Sequence, residues 1–370
     1  MIPYFPGLRF KFGEYWGMAC LASDLRPHVT PRFVVPPTKE YDFELARRPS
    51  IDELAHLTGS RIGKHWPVGR AFLDTRHVGT DLGLAGLVKL FSVARSSNPE
   101  VVPAFRLPDL DTELPGLVLH SGHRRAGLVV GHDQVDAQAI ERRLKAANLD
   151  PSLCTIFLDF TGAVLEPSLA AGSVAAIFDA INEIGIWEKV VFQGSNFPLK
   201  NPATPGETKK VPRHEWDVFH KALAESTLDP GRVAYGDFAA DNGRMAFPRG
   251  KGGGRAIRHL RYTTPDHTLV FRGKAEGDDH AVLKDICQRI LDSGQFAGQA
   301  FSVADDAIFC VANDIIGPGN ASMWRAWNTI HHVTRVVRDL GSLDGRRFST
   351  TRVTRVEEQA TLFEEEAAAQ

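Results

Sequence analysis

Short apolar runs recur along the chain, and amphipathic stretches follow most of them. The runs rich in β-branched and aliphatic residues span 4–10, 30–36, 69–75, 101–107, 126–131, 155–160, 189–194 and 232–238. Several, such as "AGLVVG" and "TIFLDF", are apolar along their whole length, the pattern of strands covered on both faces. Between them, "DAQAIERRLKAANLD" puts Ala139, Ile140, Leu144 and Ala147 at helical spacing, and "SVAAIFDAINEIGIW" and "RHEWDVFHKALAES" follow the next two runs. Asn148 and Gly185 stand where helix C-caps fall. In the less regular first half, "KFGEYWGMACLASDL" and "SIDELAHLTGSRI" supply the helices. Strand–helix alternation over eight runs predicts an α/β protein built as a (β/α)8 TIM-like barrel. The alternative is an open doubly wound sheet, since eight parallel strands can also lie flat.

After the eighth run the pattern changes. "HLRYTTPDHTLVFRG" alternates around a turn and predicts a β-hairpin. "DDHAVLKDICQRILDSG" reads as a helix, "AFSVADDAIFCVAN" as strand or loop, and "NASMWRAWNTIHHVTRVVRDLG" as a long helix. The organisation expected is a barrel over residues 1–345 with a β-rich insertion at about 241–311. A C-terminal tail over 346–370, helical or disordered, follows it.

Composition adds bounds. Of 370 residues, 43% are hydrophobic and 24% charged, and the formal net charge is -2. Such a chain has no general pull on nucleic acid or anionic membrane, so any attraction must come from a local patch. Cys20, Cys154, Cys287 and Cys310 form no CxxC pair and sit in apolar runs, as reduced core cysteines do. The opening "MIPYFPGLRF" lacks a secretory pattern, and no run of 18 apolar residues suggests a membrane span. A cytoplasmic protein is expected, with no membrane partner.

The local patch is "FPRGKGGGRAIRHLRY". From Asp241 to Asp266 no acidic residue intervenes, while six Lys or Arg do. It is not a P-loop, because no Ser or Thr follows its Lys. Its glycines nonetheless let backbone N–H groups approach an anion, and Arg258 and Arg261 can clamp a phosphate. Strand alternation puts those two arginines on opposite faces.

In a parallel barrel, functional groups gather at the C-terminal ends of the strands. This selects Asp74, Thr75 and Arg76, then Arg106, His132 and Asp133, Asp159, Gln193, Ser195 and Asn196, and Tyr235 and Asp237. Asp159 and Asp237 are the candidate general bases or cation ligands. Arg76 and Arg106 are candidates for bidentate binding of a phosphate or carboxylate. Asp74, Gln193, Asn196, Tyr235, Arg258 and Arg261 complete the expected ligand-binding set. The competing reading is that strand-end Asp and Arg pair with each other as a structural rim. Asp305 and Asp306 read as a turn before a strand. His331 and His332 lie about 100° apart on a helix, one facing the barrel mouth and the other packing or meeting solvent. His120 and His123 make an isolated HxxH, and Trp324 and Trp327 read as core. No cofactor and no metal is specified.

"YGDF" at 235–238, "LRYTTPDHTLVFRG" at 260–273, "FSVADDAI" at 301–308 and "WRAWNTIHH" at 324–332 follow one another. With "GSNFP" at 194–198 and the opening Pro-rich strand, they make the chain resemble the beta-protein family (phage T4 beta protein-like) over residues 1–340. The resemblance implies a phage or mobile-element context and a part in phage–host conflict, including anti-phage defence. It brings no catalytic residues with it. Three functions follow from residues and resemblance together. The first is a binding or effector component that recognises a nucleotide or nucleic acid at the barrel mouth. The others are a metal-dependent phosphoester-processing enzyme and a non-catalytic module that binds a protein partner.

Overall fold

Each of the eight apolar runs forms a strand in the computed structural model, which describes residues 1–119, 124–245, 247 and 257–349. In chain order come β1 (Gly7–Arg9), α1 (Phe12–Ala19), β2 (Arg32–Val34), α2 (Ile51–His65), β3 (Ala71–Asp74) and α3 (Gly79–Ser97). Then follow β4 (Val101–Arg106), the single turn α4 (Gly116–Leu119), β5 (Ala126–Gly131), α5 (Ala137–Ala146), β6 (Cys154–Asp159), α6 (Pro167–Ile184) and β7 (Lys189–Gln193). After β7 the chain forms β8 (Thr208–Pro212), α7 (His214–Glu225) and β9 (Val233–Gly236).

The main sheet is parallel throughout, in the order β1-β2-β3-β4-β5-β6-β7-β9. It curls until its last strand meets the residues leading into its first. Phe5 N–H donates to the Tyr235 carbonyl at 2.8 Å, and Gly7 N–H to the Asp237 carbonyl at 2.8 Å. These bonds decide for a barrel over an open sheet. Alternation sorts the side chains. Phe5, Phe72, Val102, Ala104, Val129, Phe157, Val191 and Ala234 fill the interior. Leu73, Leu128, Leu158 and Phe192 pack outward with the helices. Gly127 makes the interior possible, since a Cβ there would lie 2.8 Å from the Phe72 ring.

A smaller lobe follows the barrel strands. The expected hairpin is β10 (His259–Thr263) against β11 (His267–Arg272), and β8 adds to its β11 edge. The insertion expected at about 241–311 therefore has a second source, the β7–α7 connection. α8 (Asp279–Asp292), α9 (Val303–Ala312) and α10 (Ala321–Leu343) complete the fold. Leu260, Tyr262, Leu269 and Phe271 of the hairpin pack with Ile286 and Ile290 of α8 and Ile308 and Val311 of α9.

Three elements differ from the sequence expectation. The segment "AFSVADDAIFCVAN" is helix α9, not strand or loop: Ser302 Oγ caps it by accepting from Asp305 N–H at 3.2 Å. Asp305 and Asp306 accordingly sit in the first turn of a helix, both buried, rather than in a turn before a strand. Strand β8 and helix α3 were not anticipated. Only Val211 of β8 is buried, and α3 is broken at Gly83, whose φ of 60° is open to glycine. Residues 350–370, most of the expected tail, lie outside the described residues, as do His120 and His123.

Candidate ligand-binding site at the barrel mouth

The top layer of the barrel interior is polar. Arg32, from the middle of an otherwise apolar run, points inward and is 1% exposed. Its Nη1 donates to Asp74 Oδ2 at 2.6 Å, and its Nε and Nη2 donate to Gln193 Oε1 at 3.1 and 2.7 Å. The guanidinium also lies 5.4 Å from the centre of the Phe157 ring. Asp74 takes a second arginine, since Arg76 Nε donates to it at 2.9 Å. Burial alone would raise the Asp74 carboxyl; Arg76 and Arg32 outweigh it and hold Asp74 at about 2. Asp159, two residues beyond the interior Phe157, accepts from Thr161 N–H at 2.9 Å and adds attraction for Arg32 and Arg76.

Beside this layer, over the ends of β3 and β4, a cavity of about 350 Å³ opens between Arg76 and Arg106. Thr75, Thr80 and Thr112 contribute hydroxyls, Asp109 and Glu113 carboxylates, and Phe105, Leu84 and Leu114 apolar surface. Arg106 is 48% exposed and binds Asp109 through Nη2 at 2.9 Å and Nε at 3.2 Å. Both guanidiniums therefore line the same open cavity while a carboxylate behind each fixes its plane. Two planar donor groups so held suit an oxyanion.

The other candidates do not join this cavity. Asp237 shares the outward face of β9 with Tyr235, and it is buried against α10 rather than open at the mouth. Tyr4 Oη donates to it at 2.5 Å, Ala239 N–H at 2.9 Å, Tyr235 Oη at 3.3 Å and His332 Nε2 at 2.8 Å. Burial would raise its carboxyl, but His332 and the hydrogen bonds hold it below the usual range. Asp159 and Asp237 thus have no partner in common. Tyr235 is fully buried, packed on Trp216 and Phe219. Asn196 braces its loop by donating to the Pro212 carbonyl at 3.0 Å. Arg258 is used up in the lobe, donating to the carbonyls of Lys274, Ala275 and Gly277.

Arg261 faces the opposite way from Arg258, as alternation requires. It donates to the Ala240 carbonyl at 2.9 Å and pairs with Asp241 at 2.9 Å. Arg9 and Arg325 bind the same carboxylate, and Glu14 serves both of them. Three guanidiniums hold Asp241 well below its ordinary range despite burial, and burial brings Arg261 down to about 10. The backbone that delivers Asp241 is strained: Ala239 and Ala240 have φ of 51° and 57°, a region costly for residues with a Cβ. Arg249, Lys251 and Arg255 of the glycine-rich stretch lie outside the described residues.

His331 and His332 both turn inward, correcting the expectation that one would face the mouth. Thr263 joins them, its hydroxyl 2.8 Å from His332 Nδ1 and its carbonyl 2.8 Å from His331 Nε2. His331 Nδ1 lies 3.0 Å from Asp305 Oδ2, and Tyr262 Oη donates to Asp305 at 2.7 Å. A buried polar chain thus runs from Tyr4 in the barrel to Asp305 in the lobe. Sequence reasoning missed Arg32, Arg9, Glu14, Asp241 and Arg325. For Arg32 a signal existed, since a charge inside a short apolar strand of a barrel must point somewhere dry. Among the described residues, no three of His, Cys, Asp and Glu are grouped to hold a metal ion.

The family model described as Beta protein matches residues 4–338. The chain belongs to the Beta protein family. No curated protein matches it. Among solved structures, it is similar to a GH10 endoxylanase retrieved from a sugarcane soil metagenome. The identity is 9% and the TM-score 0.30, over 64% of this chain and 84% of that one. It is also similar to the carboxyl transferase domain of Rhizobium etli pyruvate carboxylase with 3-hydroxypyruvate, at 8% identity and a TM-score of 0.31, over 95% of this chain and 49% of that one. At such scores neither likeness bears on what this Beta protein family member does. Among its described residues no helix is long and apolar enough to cross a membrane.

Proposed function

We propose that this Beta protein family member is a binding component that takes a phosphate-bearing ligand, a nucleotide or nucleic-acid end, at the barrel mouth. One observation carries the reading: Arg76 and Arg106, from neighbouring strand ends, line one open cavity with three threonine hydroxyls. The carboxylates at Asp74 and Asp109 steer these guanidiniums and leave each with further N–H groups to offer. Paired-carboxylate chemistry is not part of the proposal, because Asp237 is turned away from Asp159 and its oxygens are already bonded. The setting expected from the family resemblance, phage–host conflict, enters as part of the same proposal, and phage challenge of a host expressing the chain tests it.

Calorimetric titration with nucleoside triphosphates, inorganic triphosphate and a 5′-phosphorylated oligonucleotide tests the binding. Saturable binding to at least one is expected, weakened about tenfold or more by Arg106→Ala, the loss of one charge-assisted contact. No binding by any of them, or affinity unchanged in an Arg76→Gln/Arg106→Ala double variant that keeps its fold, would overturn the reading.

A further inference from the structure

We infer that the ligand at the mouth carries a flat heteroaromatic ring, a nucleobase, seated in a second cavity over the strand pair next to the one that carries the arginine pair. The inference rests on the phosphate reading above. The second cavity, about 280 Å³, lies over the ends of β1 and β2. Its apolar walls are Phe10, Phe12, Tyr15, Tyr41 and Phe43. The walls are set by contacts among themselves, Phe12 lying 5.2 Å from Phe43 and 5.9 Å from Tyr15 between ring centres. Ion pairs anchor the loop that carries Tyr41 and Phe43: Lys11 to Glu40 at 2.5 Å and Arg61 to Asp42 at 2.6 Å. The cavity is therefore preformed. Yet Tyr41 and Phe43 are 49% and 44% exposed, aromatic surface that a stacked ring would cover.

Size, polarity and position select the occupant. Small-molecule pockets run from roughly 300 Å³ upward, so this one holds a single ring system with its sugar and no polymer segment. The hydroxyls of Thr58 and Ser322 and the carboxylates among the rings suit ring heteroatoms better than an alkyl chain. An aromatic cage for a cationic ligand is disfavoured, because Arg9, Lys11, Arg61 and Arg325 outnumber Glu14, Glu40 and Asp42 on the same walls. Position supplies the link to phosphate. β2 and β3 are hydrogen-bonded neighbours. Pro37 lines the aromatic cavity and Thr80 the arginine cavity, and between them Thr38 Oγ1 donates to Asp81 Oδ2 at 2.8 Å. One nucleotide can place its base on one side of that bridge and its phosphates on the other.

The test compares the four ribonucleoside triphosphates, the four nucleosides and inorganic triphosphate by calorimetry, on the full chain and on Tyr41→Ala and Phe43→Ala. Both substitutions fall at half-exposed positions, and an unchanged melting temperature checks the fold. At least one nucleoside triphosphate should bind about tenfold or more tighter than inorganic triphosphate, the worth of one base–aromatic stack. Each substitution should remove most of that difference and leave inorganic triphosphate unaffected. Equal affinity for all triphosphates, or no effect of either substitution, overturns the base site and leaves the phosphate reading standing. Nucleoside binding lost on Phe43→Ala, with no triphosphate binding, supports the base site and sinks the phosphate reading. No binding by any of the nine compounds overturns both.

Discussion

Glu215 and Asp74 are both buried carboxyls, and their neighbours drive them in opposite directions. Asp74 lies between Arg76 and Arg32, which outweigh its burial and hold its pKa down to about 2. Its contribution to stability is present above the ordinary Asp value of about 3.9 and is lost as pH falls toward 2. Glu215 has burial as its largest influence and only partial relief from Arg213, which leaves it pushed up to about 7. The folded state then holds a proton that the unfolded chain releases near pH 4.3. Its contribution is full below about pH 4.3 and is lost as pH rises through 7. With roughly 1.36 kcal/mol per unit, the full swing is about 3–4 kcal/mol. Glu215→Gln keeps an acceptor for Asn196 N–H and removes the titration. Urea denaturation should therefore find the variant gaining about 3 kcal/mol on the wild type between pH 4 and pH 8. A pH-independent difference would contradict this account. Little of this was legible beforehand. Asp74 and Arg76 were found because strand ends are functional positions, whereas Glu215 occupies an ordinary position in the first turn of α7, and nothing in its sequence neighbourhood marks it as buried.

At the scale of elements, the barrel strands were legible and the connections were not, for one reason. A strand covered on both faces announces itself by a mostly apolar run, and all eight runs were readable even where one, as at Arg32, carries a charge. Edge strand β8 buries one residue in five and has no such signature. Helix α9 is apolar on nearly every side because it is wedged among the hairpin, α8 and α10, so its periodicity is erased. Its start was still readable, since Ser302 and Asp305 have the spacing of a helix cap. The turn after β9 was the least readable element, because nothing in "DFAAD" demands a left-handed backbone. Ala239 and Ala240 are held there by what they serve: Ala239 N–H bonds Asp237, and the Ala240 carbonyl receives Arg261. The fold thus carries a strain of about 1–2 kcal/mol per residue to bring Asp241 to three arginines. Ala240→Gly should relieve it, offset by the greater freedom of the unfolded chain, and be neutral to stabilising by about 1 kcal/mol. The same change at Ala222, buried inside α7, should cost about 1 kcal/mol. Equal destabilisation at the two positions in chemical denaturation would refute the strain.

The whole molecule is tied together by α10. Its first half, with Trp324, Trp327 and Ile330, belongs to the core of the lobe. Its second half, with Val333, Val336, Val337 and Leu340, belongs to the core of the barrel. At the boundary stand His331 and His332, carrying the buried polar chain from Asp237 to Asp305. This explains why Asp237, a strand-end carboxylate like Asp159, is absent from the mouth: it is spent on joining the two cores. Parity along β9 was the available clue, since Asp237 shares the face of Tyr235 and Val233, which pack outward. A continuous helix shared by two cores makes unfolding of one expose apolar surface of the other, so the molecule should melt in one transition. Trp327→Ala, in the lobe, should cost about 3–5 kcal/mol and lower the single transition for the whole molecule. Val336→Ala, in the barrel, removes less volume and should lower the same transition by less. Differential scanning calorimetry distinguishes this from independent lobes, for which Trp327→Ala would split off a separate low-temperature peak and leave the barrel's melting where it was.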